Sequence, residues 1–279
     1  MYDAACLSDP VPLQRAVGEL RVGVKRHEDQ TVLDDLRQAG CLKARFPRRV
    51  VSGWMDVVTL NTGGGVAAGD RLDVAVSAAA GCQVTVSAQA AERFYRALDR
   101  DAPSWVRTTL SIGAGAAMEW LPQETILFDN SALDRRLEIA MAPDGRFLGV
   151  ETLVFGRAAM GETVRQARFR DLIQVRRGGA LLLHDTIRLD GAVADFLARA
   201  AIGNGARALA TLVYVAPDAD RLLDPLRQAL GTGEAGASAW NGMLVARILG
   251  QDSACVRRTV VSALEVLRES RPLPRVWLC

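Results

Sequence analysis

The sequence contains little histidine and no closely spaced cysteines. Its 279 residues include two histidines, His27 and His184, which disfavours a multi-histidine metal or catalytic centre. The five cysteines are far apart and form no Cys-x-x-Cys pair, which argues against a zinc ribbon or a disulfide framework. Aromatic residues make up only 5% of the chain. Each histidine is better interpreted as an ordinary structural or surface residue than as a metal ligand.

Neither sign of charge is in large excess, and long hydrophobic runs are absent. The sequence has 34 basic residues, all but two of them arginine, against 32 acidic residues, for a net charge of +2. This balance disfavours nucleic acid and anionic membranes as partners. No run approaches the ~18 apolar residues of a membrane helix, and residues 1–20 lack the pattern of a secretion signal. We therefore expect a cytoplasmic protein.

Strand-like alternation of apolar and polar residues dominates the first two thirds of the chain. Residues 71–77 and 82–88 alternate on either side of a break of small residues that ends at Gly81. The same arrangement recurs around Gly115 and Gly145, which follow at spacings of 34 and 30 residues. Such a period is typical of stacked supersecondary units. The pattern predicts a mainly β protein, a β-helix-like or solenoid-like stack of strands.

Helical periodicity is concentrated near the C-terminus. Residues 218–230 place four leucines on one helical face, provided that Pro225 lies in the first turn. Asp252 is a suitable N-cap for a second helix that continues to Leu267. We therefore expect a few α-helices toward the C-terminal end.

A glycine-rich segment at residues 61–70 follows an apolar strand and is suggestive of a phosphate-binding loop. A Walker loop continues with lysine and serine or threonine, whereas Gly69 is followed by Asp70 and Arg71. The dinucleotide pattern also fails, because Ala68 occupies its last glycine position. The segment is better interpreted as a turn that needs glycine for positive φ.

Two further segments carry candidate functional residues. Phe94, Tyr95 and Arg96 either form a docking surface or close one end of the sheet stack, because aromatic residues and arginine are enriched at interfaces. Glu124 and Asp129 are carboxylates within an apolar run, which indicates either a structural partner or a function. One alternative is a cytoplasmic carbohydrate-active hydrolase that uses these two carboxylates as acid and base. The scarcity of aromatic residues argues against it.

Four motifs together carry a family resemblance: the Asn-Thr-Gly-Gly loop ending at residues 69–71, Arg-Phe-Tyr-Arg at 93–96, residues 119–129 and residues 155–162. The chain is similar to the urease accessory protein UreD family, also called UreH, over most of its length. In two positions it departs from the family pattern: Ala68 replaces a usual glycine, and residues 92–93 are Glu-Arg where Thr-Lys is common.

The resemblance implies a non-enzymatic scaffold. Family members join UreF to the GTPase UreG, and the complex docks on apo-urease to install nickel. The implied fold is mainly β, and we expect a single domain over residues 1–279 with no stably bound cofactor. A structural β-solenoid without a specific partner is the plainer alternative.

Nickel in transit requires ligands that bind weakly and release the ion. Carboxylate oxygens satisfy this requirement better than a cluster of cysteine and histidine. Structural pairing with arginine is the alternative for each carboxylate, as for Asp70 beside Arg71. The candidate route for Ni²⁺ consists of Asp70, Glu124, Asp129 and Glu162, with Asp185 as a weaker member.

Overall fold

The computed structural model describes residues 14–98 and 101–278. Within these residues the chain forms two β-sheets, three α-helices and three short 3-10 helices. The mainly β class expected from the sequence, with helices toward the C-terminus, is confirmed. No helix in the described ranges has the length and apolar character needed to cross a membrane.

A seven-stranded sheet forms one layer of the described structure. The five central strands of this sheet run parallel to one another. Each edge is an antiparallel pair. In spatial order the strands are β14 (Ala180–Ala192), β13 (Gln166–Arg177), β11 (Ser131–Met141), β8 (Ser104–Ile112), β5 (Arg71–Ala78), β1 (Val17–His27) and β2 (Gln30–Gly40).

A ten-stranded sheet forms the second layer of the described structure. Its main path runs, in spatial order, through β16 (Ala235–Trp240), β17 (Met243–Gly250), β15 (Ala208–Val215), β12 (Arg146–Phe155), β9 (Ala117–Leu121), β6 (Gln83–Ala88), β4 (Trp54–Asn61) and β3 (Leu42–Arg45). Two short strands lie off this path: β10 (Thr125–Leu127), which pairs with β12, and β7 (Glu92–Phe94), which pairs with β10.

The chain winds alternately between the two sheets. Strands β5, β8, β11 and β13 belong to one sheet, whereas β6, β9 and β12, which follow the first three along the chain, belong to the other. Gly81 and Gly115 lie at successive crossings with φ of +69° and +61°, a conformation that favours glycine. A hydrogen bond joins the two crossings, because the Gly81 N–H donates to the Ala114 carbonyl at 2.9 Å. This winding explains the sequence period of about 30 residues. The solenoid-like stack remains a prediction about how the winding is to be classified.

Two apolar cores separate three layers. The first lies between the sheets, where residues such as Leu20, Leu110 and Phe147 are at most 1% exposed. The second lies between the ten-stranded sheet and the C-terminal helices and includes Leu212 and Leu264. Burial of each such side chain contributes roughly 1.5–3 kcal/mol.

Both helices expected near the C-terminus are present, although the one expected over residues 218–230 begins as an α-helix only at Leu223, because residues 219–222 form a 3-10 helix. In α2 (Leu223–Leu230), Pro225 lies in the first turn, where its missing N–H costs no helical hydrogen bond. Asp252 caps α3 (Ser253–Leu267) by accepting a hydrogen bond from the Cys255 N–H at 2.7 Å. The sequence analysis missed α1 (Val193–Ala198). The 3-10 helices span Ala158–Met160, Ala219–Leu222 and Arg275–Trp277.

Candidate functional site: a motif edge over an inter-sheet cavity

The motifs singled out in the sequence meet at one edge of the molecule. Strand β10 brings Leu127 alongside both Phe94 and Phe155. The Phe128 N–H donates to the Phe94 carbonyl at 3.0 Å, and a β-bridge joins Phe94 to Val66. Segments that are far apart in sequence therefore form one continuous surface. We call this surface the motif edge: residues 61–71, 93–96, 124–130 and 155–162.

An aromatic and arginine cluster holds the motif edge together. The Tyr95 and Phe128 rings meet edge to face with centroids 5.3 Å apart, and the Arg157 guanidinium lies 4.1 Å from the Phe128 centroid. The Tyr95 hydroxyl donates to the Gly64 carbonyl at 2.6 Å. A Cβ on Gly65, whose φ is +143°, would lie 2.5 Å from the Tyr95 ring. The glycine-rich loop is therefore held against Tyr95, and Gly65 is required for that contact.

The three residues of the predicted docking segment have different environments. Phe94 is 3% exposed and packs in the inter-sheet core, so its ring is not available to a partner, and the prediction needs correction there. Tyr95 is half-buried and Arg96 is exposed. The docking prediction therefore keeps only Tyr95 and Arg96. The buried Phe94 ring fixes this segment to the inter-sheet core.

The buried carboxylate of Asp70 has a structural role as an acceptor of backbone hydrogen bonds. Its carboxylate is 5% exposed and accepts hydrogen bonds from the Ala16 and Ala67 N–H groups, both at 2.7 Å. The ion pair with Arg71 that the sequence suggested is not formed. Asp70 instead fixes the glycine-rich loop to the segment that precedes β1.

Asp129 and Glu162 are the two predicted carboxylates that the structure brings together. The Asp129 N–H donates to Glu162 at 3.3 Å, and the Asp129 carboxylate accepts from the Arg165 N–H at 2.7 Å. Glu162 pairs with Arg157 at 2.8 Å. The hydrogen bonds from the Arg157 side chain hold the pKa of Glu162 below its usual value, against the opposing effect of burial. Both carboxylates therefore shape the motif edge.

Glu124 and Asp185 are each paired with an arginine distant in sequence. Glu124 pairs with Arg257 of α3 at 2.8 Å, and Asp185 pairs with Arg247 at 2.7 Å. Among the residues that the structure describes, no three His, Cys, Asp or Glu side chains are grouped to hold a metal ion. The five predicted carboxylates therefore do not converge on one site.

A cavity of about 420 Å³ lies between the sheets beneath the motif edge. Its apolar wall includes Leu72, Phe94 and Trp120. Residues that are exposed at its surface mark an opening beside the glycine-rich loop: Thr62, Gly64, Gln89, Ala90 and Arg93. Its polar lining includes side chains that the sequence analysis missed: Asn61, Glu92, Thr125, Arg135 and Glu151.

Arg135 organises a buried network at the floor of this cavity. It donates two hydrogen bonds to Asp171, at 2.9 and 2.7 Å, and one to the Thr125 hydroxyl at 2.8 Å. It also pairs with Glu151 at 2.6 Å, while the Trp120 indole N–H donates to Glu151 at 2.8 Å. Burial raises the pKa of Glu151, although Arg135 opposes that shift. The network places oxygen atoms inside an otherwise apolar core.

Glu92 is the second carboxylate of the cavity. The Asn61 amide donates to it at 3.1 Å, and its own N–H donates to the Glu124 carbonyl at 2.8 Å. Burial raises the pKa of Glu92, with smaller opposing effects of hydrogen bonds from Asn61 and the Arg93 backbone. The ionised form of Glu92 is therefore disfavoured in the folded protein relative to the unfolded chain.

Glu92→Gln is expected to stabilise the protein at neutral pH. Because the pKa of Glu92 is higher in the folded protein than in the unfolded chain, the free energy of unfolding decreases as the pH rises from the unfolded pKa to the folded pKa. Glutamine does not ionise, so this decrease in stability is removed. Its amide oxygen can still accept the hydrogen bond from Asn61. Urea unfolding should show a stabilising difference at pH 7 that disappears below the unfolded pKa of about 4.3. Glu265→Gln, on the exposed side of α3, should leave the unfolding free energy at pH 7 close to that of the wild type, and a destabilised Glu92→Gln would contradict the prediction.

Comparison with known proteins gives one consistent family. The model of the family described as UreD urease accessory protein matches residues 16–278. A "Urease accessory protein UreD 2" of Methylorubrum populi is 46% identical over 277 residues, which cover 96% of this chain and 92% of that protein. A "Urease accessory protein UreD" of Methylobacterium sp. strain 4-46 is 47% identical and covers 95% of each chain. The corresponding protein of Azorhizobium caulinodans is 43% identical, with 95% and 97% coverage.

Proposed function

The chain belongs to the UreD family of urease accessory proteins, and from this premise we propose that it is a non-catalytic scaffold for urease maturation. In this role it acts with UreF and the GTPase UreG, docks on apo-urease and assists the insertion of nickel. The observation that carries the proposal is the family match across residues 16–278. The printed names of its relatives assign them an accessory role in relation to urease.

The side chains of the cavity are compatible with nickel as a transient cargo. Glu92 and Glu151 supply carboxylate oxygens, and Asn61 and Thr125 supply neutral oxygens. Oxygen ligands bind Ni²⁺ less tightly than thiolate or imidazole. Both carboxylates already have hydrogen-bond donors from the protein, so a passing ion would compete with these donors and would be held weakly.

The five carboxylates expected from the sequence remain candidates for the same route. Each has a protein partner that a metal ion would have to displace or share. Asp129 and Glu162 stand out, because they adjoin each other at the motif edge. Tyr95 and Arg96, on the same edge, remain the candidate contacts for a partner.

Reconstitution of urease maturation tests the proposed function. Urease subunits, UreF and UreG are co-expressed with and without this chain, and both the nickel content of purified urease and urea hydrolysis are measured. We expect nickel content to fall to background without the chain. Equal nickel content in its absence would contradict the scaffold role, and turnover of a carbohydrate by the purified chain would favour the hydrolase alternative.

Amide variants test the route of the metal within the same assay. Glu92→Gln, alone and with Glu151→Gln, is expected to lower nickel content severalfold while the complex with UreF and UreG still forms. Single amides of Asp70, Glu124, Asp129, Glu162 and Asp185 test the remaining candidates. Glu265→Gln, an exposed glutamate on α3, is the matched control. Full nickel loading with Glu92→Gln and with the double variant would exclude the cavity as the route.

A further inference from the structure

One asparagine joins the glycine-rich loop to a carboxylate inside the cavity. The Asn61 amide nitrogen donates to the Glu92 carboxylate at 3.1 Å and to the Gly65 carbonyl at 3.4 Å. Its amide oxygen accepts a hydrogen bond from the Gly63 N–H at 2.9 Å. Because a backbone N–H can only donate, this last bond fixes which end of the amide faces Gly63. Asn61 therefore uses its oxygen for the loop and shares its nitrogen between the loop and Glu92.

Side chains, and not strand pairing, hold the centre of this loop. The flanking residues, Thr62 and Val66, each donate a backbone N–H to a carbonyl of another segment, at 2.9 and 2.7 Å. In the described part of the chain, no backbone group of residues 63–65 pairs with a neighbouring strand. Asn61 holds the two ends of this glycine triplet, and the Tyr95 hydroxyl donates to its middle carbonyl at 2.6 Å.

The three glycines gain conformational freedom when these bonds break. A glycine backbone loses more conformational entropy on ordering than that of any other residue. A Cβ added to Gly64 would meet no atom within 4 Å, so open space lies beside the loop. Gly64 also lines the cavity, and together with Thr62 it is exposed at the opening. The loop can therefore move at the opening once its side-chain contacts are lost.

A divalent cation on Glu92 conflicts with the bonds that Asn61 makes. The Asn61 amide nitrogen faces one Glu92 oxygen, and a cation bound there would meet hydrogen-bond donors, which cannot coordinate it. The amide has to turn over to present its oxygen to the cation. Its nitrogen would then face the Gly63 N–H, and its oxygen would face the Gly65 carbonyl. Both bonds from Asn61 to the loop would be lost.

We propose that Asn61 is the positioning residue of a latch on the cavity. When no cation is bound, Asn61 and Tyr95 hold residues 63–65 at the opening, and Ni²⁺ at Glu92 turns the Asn61 amide and releases the loop. By linkage, a loop held more tightly on Tyr95 weakens Ni²⁺ binding, and a looser loop strengthens it. Closing the latch therefore favours discharge of the ion. This inference rests on the proposed function, because that function supplies the cargo.

Amide hydrogen exchange of the purified full chain tests the latch with Ni²⁺ alone. Exchange of residues 63–65 is measured without Ni²⁺ and at a Ni²⁺ concentration that saturates the chain in calorimetry. We expect exchange to become about fivefold faster with Ni²⁺, as for the loss of one hydrogen bond. Glu92→Gln should keep the slow exchange and lose the response to Ni²⁺. Asn61→Ala should exchange fast under both conditions.

The affinity for Ni²⁺ is a second readout, which a purely structural loop would not change. Tyr95→Phe removes the hydroxyl that holds the loop, and Tyr95 is not part of the cavity lining. We expect this variant to bind Ni²⁺ about fivefold more tightly, because the loop is then open in a larger fraction of the molecules.

Two matched controls lie elsewhere in the fold. Asn204→Ala removes an asparagine that donates to Glu234 at 3.1 Å, and Tyr214→Phe removes a hydroxyl that donates to Asp218 at 3.4 Å. Neither Asn204 nor Tyr214 lines the cavity. Neither variant should therefore alter the exchange of residues 63–65 or the affinity for Ni²⁺.

Any of four results would overturn the latch. Ni²⁺ binding that depends on Glu92 but leaves the exchange of residues 63–65 unchanged is the first, and equal acceleration by Ni²⁺ in Glu92→Gln is the second. The third is unchanged or weaker Ni²⁺ binding by Tyr95→Phe, and the fourth is that the wild-type chain shows no binding that depends on Glu92. The proposed function fails separately, when the wild-type chain does not raise the nickel content of urease in the reconstituted assay.

Discussion

Replacing Arg135 with methionine is expected to lower the free energy of unfolding by about 3–5 kcal/mol. The guanidinium lies between Asp171 and Glu151, with nitrogen–oxygen distances of 2.7 and 2.6 Å. All three side chains are less than 10% exposed. Methionine retains the length of the side chain but no charge, so two buried carboxylates lose their counter-ion.

Urea unfolding, followed by circular dichroism, measures the effect of Arg135→Met. The neighbouring Arg136→Met is the control, because Arg136 lies on the outer face and pairs with Asp134 while partly exposed. We expect the control to lose less than about 1 kcal/mol. Combining Arg135→Met with Glu151→Gln and Asp171→Asn should recover much of the loss, because no buried charge is then left unpaired. Equal losses for Arg135→Met and Arg136→Met would show that the network does not stabilise the fold.

The buried position of Arg135 could be recognised from the sequence, but its partners could not. Leu133, Leu137 and Ile139 alternate along β11, and Arg135 occupies the same inward-facing set. An arginine in such a set predicts buried acceptors. Identifying Asp171 as the acceptor requires the register of β11 with β13, which places the two residues side by side.

The strands and their spacing were predictable because they depend on local pattern. Alternation over 71–77 and 82–88 corresponds to β5 and β6. The breaks at Gly81 and Gly115 are crossings between the sheets. Assignment of alternate strands to different sheets depends on the packing of apolar faces over long distances, which a local pattern does not contain.

The sequence analysis identified the candidate carboxylates individually, but it did not predict their partners or their arrangement in the structure. Proximity in sequence suggested Arg71 as the partner of Asp70, whereas the structure provides backbone N–H groups. The partner of Glu124, Arg257, lies 133 residues further along the chain. Partners at such separations are fixed by the docking of α3, so the sequence offers no local signal for them.

The motif edge and the cavity are adjacent, which links docking to the proposed metal route. Gly64 and Gly65 line the cavity, and both contact Tyr95. A partner that docks on Tyr95 and Arg96 therefore also lies beside the cavity opening.

A second buried network fixes the C-terminal segment to the ten-stranded sheet. Arg268, just after α3, is 3% exposed and pairs with Glu119 of β9 at 3.1 Å. Glu119 is 2% exposed and also accepts from the Thr85 hydroxyl at 2.7 Å. A further Arg268 nitrogen donates to the Arg271 carbonyl at 3.1 Å. One side chain thus neutralises a buried carboxylate and satisfies backbone acceptors of the segment that follows.

Arg268→Met is expected to cost about 3 kcal/mol of unfolding free energy, at the lower end for a broken buried pair, because Arg271 still contacts Glu119. The loss should be local as well as global, because the Arg271 and Pro272 carbonyls lose their donor and this part of the C-terminal segment is held less firmly. Limited proteolysis should therefore cut this segment faster in Arg268→Met than in Arg258→Met, which changes an exposed arginine of α3. Similar stability and cleavage rates for the two variants would mean that the hydrogen bonds and packing of Val276 and Trp277 hold the C-terminal segment without Arg268.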